Sequence, residues 1–75
     1  LRDSLYYWGV CLDLQSNFSS ALEKYEIALG FDANDFHCNF ACGSVLHRLG
    51  RYEEALEYHQ KAIQIDHKDA GAHYN

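Results

Sequence analysis

Ala21-Leu22-Glu23-Lys24-Tyr25-Glu26-Ile27-Ala28 and Ala55-Leu56-Glu57-Tyr58-His59-Gln60-Lys61-Ala62 stand 34 positions apart and decide how the chain folds. They share their opening Ala-Leu-Glu and their closing Ala. The same shift carries Gly9 onto Gly43, Leu12 onto Leu46, Asp32 onto Asp66 and Asp35 onto Asp69. Chemically similar pairs follow it too: Phe18 with Tyr52, Leu29 with Ile63, Phe31 with Ile65. Tyr6, Phe40 and Tyr74 fall on one repeat position, so a third copy begins near the end. A fixed period of this length marks a stacked solenoid, in which each unit buries its apolar face on the next.

Inside each unit the apolar spacing is helical. Ala55, Leu56, His59, Ala62 and Ile63 follow i, i+1, i+4, i+7 and i+8, one face of a helix. Gly50-Arg51, flanked by Leu46, Leu49 and Tyr52, reads as a helix end and a fresh start. Glu53 and Glu54 lie in the first turn that follows, where carboxylates oppose the helix dipole. The second helix of unit one opens at Asn17 or Ser20, and Ser20-x-x-Glu23 has the spacing of a capping box. Asp32-Ala33-Asn34-Asp35 and Asp66-His67-Lys68-Asp69 read as polar turns between units, each with a candidate N-cap. The expected helices span 3–15, 19–31, 36–49 and 53–65, with a broken stub from 70 and no strand. The units are 2–35, 36–69 and a truncated third, 70–75. The fold class is all-α, an α-solenoid of antiparallel helix-turn-helix repeats.

Composition bounds what such a chain can do. Its 75 residues and 8.6 kDa suffice for one small domain, and 48% hydrophobic with 23% charged residues suits a globular chain. Six Lys and Arg against eleven Asp and Glu give a net charge of −5, which argues against nucleic acid as a partner. No apolar run approaches the ~20 residues that span a bilayer, so no membrane role is expected. The N-terminal Leu1-Arg2-Asp3-Ser4 lacks the profile of a signal peptide, and without Met it reads as an excerpt of a longer chain. Three cysteines are an odd number for a disulfide framework and point to the reducing cytosol or nucleus.

The residues resemble the tetratricopeptide repeat, a 34-residue helix-turn-helix with a W-x2-L-G-x2-Y…A-x3-F…P pattern. Unit one supplies Leu5-x2-Trp8-Gly9-x2-Leu12, then Ala21-x3-Tyr25 and Ala28; unit two supplies Asn39-x2-Cys42-Gly43-x2-Leu46, then Ala55-x3-His59 and Ala62. Gly9, Gly43, Ala21, Ala55, Ala28 and Ala62 are the small residues through which neighbouring helices approach closely. Trp8 is expected to pack between the two helices of its unit. The family's closing Pro is replaced by Ala33 and His67, its first Trp by Leu5 and Asn39, and an aromatic by His59.

Catalytic and metal chemistry find little foothold. His37, Cys38 and Cys42 lie within one and a half turns, but no C-x2-C or second spaced pair exists to complete a tetrahedral site. Cys42 falls on the position of Trp8 and reads as core filler, and His59 as a partly buried core histidine. Neither a phosphate-binding glycine loop nor a nucleophile motif is present. No enzyme activity, cofactor or metal is therefore expected.

What the resemblance implies instead is a surface. In the family, the first helices of successive units line a concave groove that holds a partner's peptide. On this chain the matching residues are Asp3, Tyr6, Val10 and Asp13, then His37, Phe40, Ser44 and His47, then Tyr74. Family domains that clamp acidic tails use Lys and Asn at positions occupied here by Tyr6, Val10 and Ala41, and Asp3 and Asp13 would repel such a tail. A segment of apolar and basic character suits the row better, and His37 and His47 would repel it as pH falls. The function expected is a protein-interaction scaffold. The alternatives are a substrate-guiding or autoregulatory segment of a larger enzyme, and a self-associating module. Tyr58, Ile63 and Ile65 would form an apolar patch that favours a dimer or a helix swap of this fragment.

Overall fold

Ser16 and Gly50 both have positive φ, 65° and 81°, and close the same turn in successive units. Before Ser16 lies α1 (Arg2–Leu14) and after it α2 (Phe18–Phe31); Gly50 separates α3 (Phe36–Arg48) from α4 (Tyr52–Tyr74). In the first turn Ser16 N–H donates to Asp13 and Asn17 N–H to Leu12, at 2.9 and 2.8 Å. In the second, Gly50 donates to His47 and Arg51 to Leu46, at 3.0 and 2.9 Å. Each bond satisfies a carbonyl that the helix end would otherwise leave bare. The computed structural model describes the backbone of residues 2–74 and the side chains of residues 3–65.

The turn between units is held by side chains. Asp35 Oδ1 accepts from Cys38 N–H at 3.1 Å and caps α3, and Asp32 Oδ1 accepts from Asn34 N–H at 3.1 Å. Buried Asn39 spends both amide protons on the turn, donating to the carbonyls of Ala33 and Asp35 at 3.0 and 2.9 Å. Without the family's proline, these bonds stop α2 and start α3.

Two local expectations are corrected. No capping box forms at Ser20, because α2 already begins at Phe18 with Asn17 in the N-cap position, and Ser20 lies inside the helix. The second inter-unit turn, 66–69, does not form either, and α4 runs unbroken from Tyr52 to Tyr74. Asp66 and Asp69 repeat the acids of the first turn, but Asn39 is followed 34 positions later by His73, and Asn34 by Lys68. The amide that ties the first turn is missing, and lysine favours helix where asparagine favours turns.

The helices pack in chain order, α1 on α2, α2 on α3 and α3 on α4. Their shared core contains Ala21, Leu22, Tyr25, Cys42, Val45, Leu46 and Ala55. Buried Gly9, Gly43, Ala28 and Ala62 mark the close approaches the sequence anticipates. Trp8 is the third correction: it is 54% exposed, while Cys42 on the same repeat position is fully buried. Cys42 lies on α3, which packs against α2 as well as α4. Trp8 lies on α1, where its ring rests on Lys24 of α2, with Nζ 4.1 Å from the centroid. Tyr25, only 1% exposed, fills the space between α1 and α2 instead.

Candidate peptide-binding face

Because successive units are related by a shift, their first helices, α1 and α3, lie side by side. Side chains bridge them near both ends. Tyr6 of α1 meets His37 of α3 with ring centroids 6.0 Å apart, and Asp13 of α1 is ion-paired with Arg48 of α3. Arg48 also lies over the ring of Phe18, 5.6 Å from its centroid. Between the bridges sit Val10 and Ser44, both half-buried.

Tyr6 and Phe40, one repeat apart, each lean on the second helix of their own unit. Tyr6 touches Tyr25 at 5.8 Å, and Phe40 meets the edge of His59 at 5.3 Å and 78°. The repeated contact fixes where each ring stands, but the exposure differs. Tyr6 is half-buried and Phe40 is 50% exposed. Burial, with smaller effects from Cys38, Tyr7 and Asp35, raises the Tyr6 hydroxyl above its ordinary pKa and keeps it neutral.

Of the residues matched to the groove, Asp3 and His37 are exposed near the starts of α1 and α3, and both line a cleft with Tyr6, Tyr7 and Asp35. His47 is exposed at the far end of α3, stacked edge-on against Tyr52 at 5.0 Å. Asp13 is ion-paired with Arg48 at the other end of the face. The side chain of Tyr74 lies outside the described residues. Phe36 and Tyr7 join the aromatic cluster without any sequence signal, since their counterparts in the other unit are Arg2 and Ala41, whereas His59 stands at the aromatic position of Tyr25. Among the described residues, no group of three or more His, Cys, Asp or Glu is placed to hold a metal ion, and no helix is long and apolar enough to cross a membrane.

Comparison with solved structures decides what this arrangement is. MamA of AMB-1, a tetratricopeptide-containing protein, superimposes with a TM-score of 0.87 at 31% sequence identity over 89% of this chain. Residues 43–75 match the family described as TPR repeat. This is a tetratricopeptide fold. The chain spans 37% of MamA's length, and no curated protein matches it. The likeness to tetratricopeptide repeats supports a protein-interaction scaffold in general. Among the described residues, α2 and α4 differ in how far their equivalent faces are covered. Leu22 of α2 is 6% exposed under α3, whereas Leu56, its counterpart on α4, is 56% exposed.

Proposed function

We propose that the α1–α3 face binds an extended or helical segment of a partner protein, with apolar and basic character. The observation that carries this reading is the half-exposed ring of Phe40, held in place by His59 and Phe36. A rigid aromatic at the surface is the kind of anchor on which interface energy concentrates. The net charge of −5 favours a cationic segment in approach and orientation. The cytosol or nucleus suits three cysteines that are not joined in disulfides. Selection of peptides from a random library with the full chain tests the proposal. Basic segments with an aromatic or aliphatic anchor should emerge, and Tyr6→Ala with Phe40→Ala should abolish their binding at unchanged helicity. Acidic consensus sequences, or binding indifferent to the double change, would overturn it.

A second reading, self-association, is favoured by the contrast between Leu22 and Leu56. Leu56 and Ile63 of α4 offer a second copy the kind of apolar surface that α2 offers α3. Sedimentation should then show mass rising with concentration, reversed by Leu56→Glu. A monomer at all concentrations rejects it.

A further inference from the structure

We propose that copies of this chain join head to tail, the outer face of α4 on one copy seating α1 of the next, so that association runs into an open series and does not stop at a dimer. This rests on the self-association reading and adds the second half of the interface and its symmetry. The template is the joint inside the molecule, where α3 covers α2. Shifted by one repeat, α2 becomes α4 and α3 becomes α1. One chain therefore carries both halves of a second joint, on opposite ends of the array.

Exposure follows that shift position by position. On the second helices, buried Leu22 is matched by exposed Leu56, and half-buried Phe18 and Leu29 by exposed Tyr52 and Ile63. On the first helices, buried Cys42 and Val45 are matched by exposed Trp8 and Cys11, and half-buried Ala41 by exposed Tyr7. The close contacts within a unit are spared. Gly9 and Gly43 are both buried, as are Ala21 and Ala55.

The end faces keep the chemistry of a joint. Terminal units of a soluble solenoid turn a polar outer face to water. On α1 the changes run the other way, since Ala41, Cys42 and Arg48 are matched by the larger or more apolar Tyr7, Trp8 and Leu14. Polar counterparts come at its rim, Ser4 for Cys38 and Gln15 for Leu49, where an interface meets water. Bulk is matched as well. Inside the molecule, large Tyr25 of α2 shares the core with small Cys42 of α3. Their counterparts are the smaller His59 on α4 and the larger Trp8 on α1, so volume lost on one face is restored by the other. Arg48 over the ring of Phe18 is replaced by Leu14 and Tyr52, an apolar pair in place of a cation and a ring. A contact between unlike faces leaves one of each free on every assembly. Because it continues the shift that relates the two units, it extends as a solenoid does and does not close.

The experiment is sedimentation of the full chain under reducing conditions, with two variants that each spoil one face. The unaltered chain should show mass rising past the dimer as concentration rises. Trp8→Glu spoils the α1 face and Leu56→Glu the α4 face, and each alone should be monomeric with its helical circular dichroism retained. Mixed in equal amounts, they have one sound face of each kind between them and should form a heterodimer that grows no further. If Trp8→Glu loses helicity, Leu14→Glu at the end of α1 takes its place. Cys11, exposed between Trp8 and Leu14, gives a second readout. Its rate of reaction with a maleimide should fall about five-fold or more from dilute to concentrated chain, and stay constant in Leu56→Glu. An unaltered chain that stops at a dimer, with Trp8→Glu still dimeric, would overturn the head-to-tail joint and leave self-association through α4 standing. Mixed variants that stay apart, while the unaltered chain associates, would overturn the joint in the same way. A chain monomeric at every concentration would sink both.

Discussion

The ring of Tyr25 lies so close to Gly9 that a Cβ added there would stand 2.5 Å from Cε1. The contact recurs one repeat later, where a Cβ on Gly43 would meet the His59 ring at 2.8 Å. Helix pairs within each unit are thus set by one rule, a glycine on the first helix beneath a ring on the second. The two contacts differ in how far the ring can yield. Tyr25 is sealed in the core, whereas His59 is half-buried beside Phe40.

Gly9→Ala should therefore destabilise the fold. Overpacking costs about 1–3 kcal/mol, partly offset by the roughly 0.5–1 kcal/mol that alanine gains over glycine inside a helix. Gly43→Ala should cost distinctly less, because the His59 ring can swing outward. Urea melts of both variants followed by circular dichroism check the order, and equal losses would show His59 to be as immobile as Tyr25.

Tyr25→Ala should remove about 3–5 kcal/mol, as emptying a sealed aromatic site does, and leave the chain largely unfolded. Trp8→Ala should cost only about 1 kcal/mol, mostly the lost contact with Lys24. Thermal melts distinguish the two. A collapse of Trp8→Ala comparable to Tyr25→Ala would contradict the exposure of that ring.

Ser16→Gly is expected to stabilise. A left-handed residue with a Cβ costs about 1–2 kcal/mol, and glycine avoids this while giving back roughly 0.5–1 kcal/mol in unfolded-state entropy. The net gain should be of order 0.5–1 kcal/mol. Gly50→Ala, at φ 81°, should lose stability by the same reasoning. A denaturation midpoint that falls on Ser16→Gly would refute it.

The thiols and phenols set an alkaline limit. Burial, with smaller effects from Glu26 and Cys38, pushes the Cys42 thiol up to about 12. Burial likewise raises the hydroxyls of Tyr25 and Tyr58. These groups keep their protons in the folded chain when the unfolded chain would release them. Their contribution is complete below the unfolded values, ~8.5 for thiol and ~10 for phenol, and is lost as pH rises through the folded ones. The melting temperature should fall from about pH 9 upward. At about pH 8 a thiol reagent should modify exposed Cys11 quickly and spare buried Cys38 and Cys42. Rapid reaction of all three would show the α2–α3 interface to be open.

Much of the face was legible before any coordinates, since Tyr6 and Phe40 betray themselves by recurring. Its other members were not. Tyr7, Phe36 and Arg48 have unlike counterparts in the other unit, so no repeat marks them; Tyr7 and Phe36 join through ring contacts on their own helices, and Arg48 because α1 and α3 come to lie side by side. The pairing of Asp13 with Arg48 is of this kind.

The sequence by itself determined the period, the first four helix starts to within a residue or two, the turn at Gly50, and the small residues at the close contacts. These are properties of short segments: which side chains favour helix, where a left-handed residue ends one, where a Cβ will not fit. Only the tertiary structure decided which of two equivalent positions is covered. Trp8 and Cys42, or Leu22 and Leu56, share a place in the repeat and differ in burial because α2 and α3 cover each other, while the outer faces of α1 and α4 have no such neighbour among the described residues. Burial depends on what packs against a residue, and a repeat pattern records the residue without recording its neighbour.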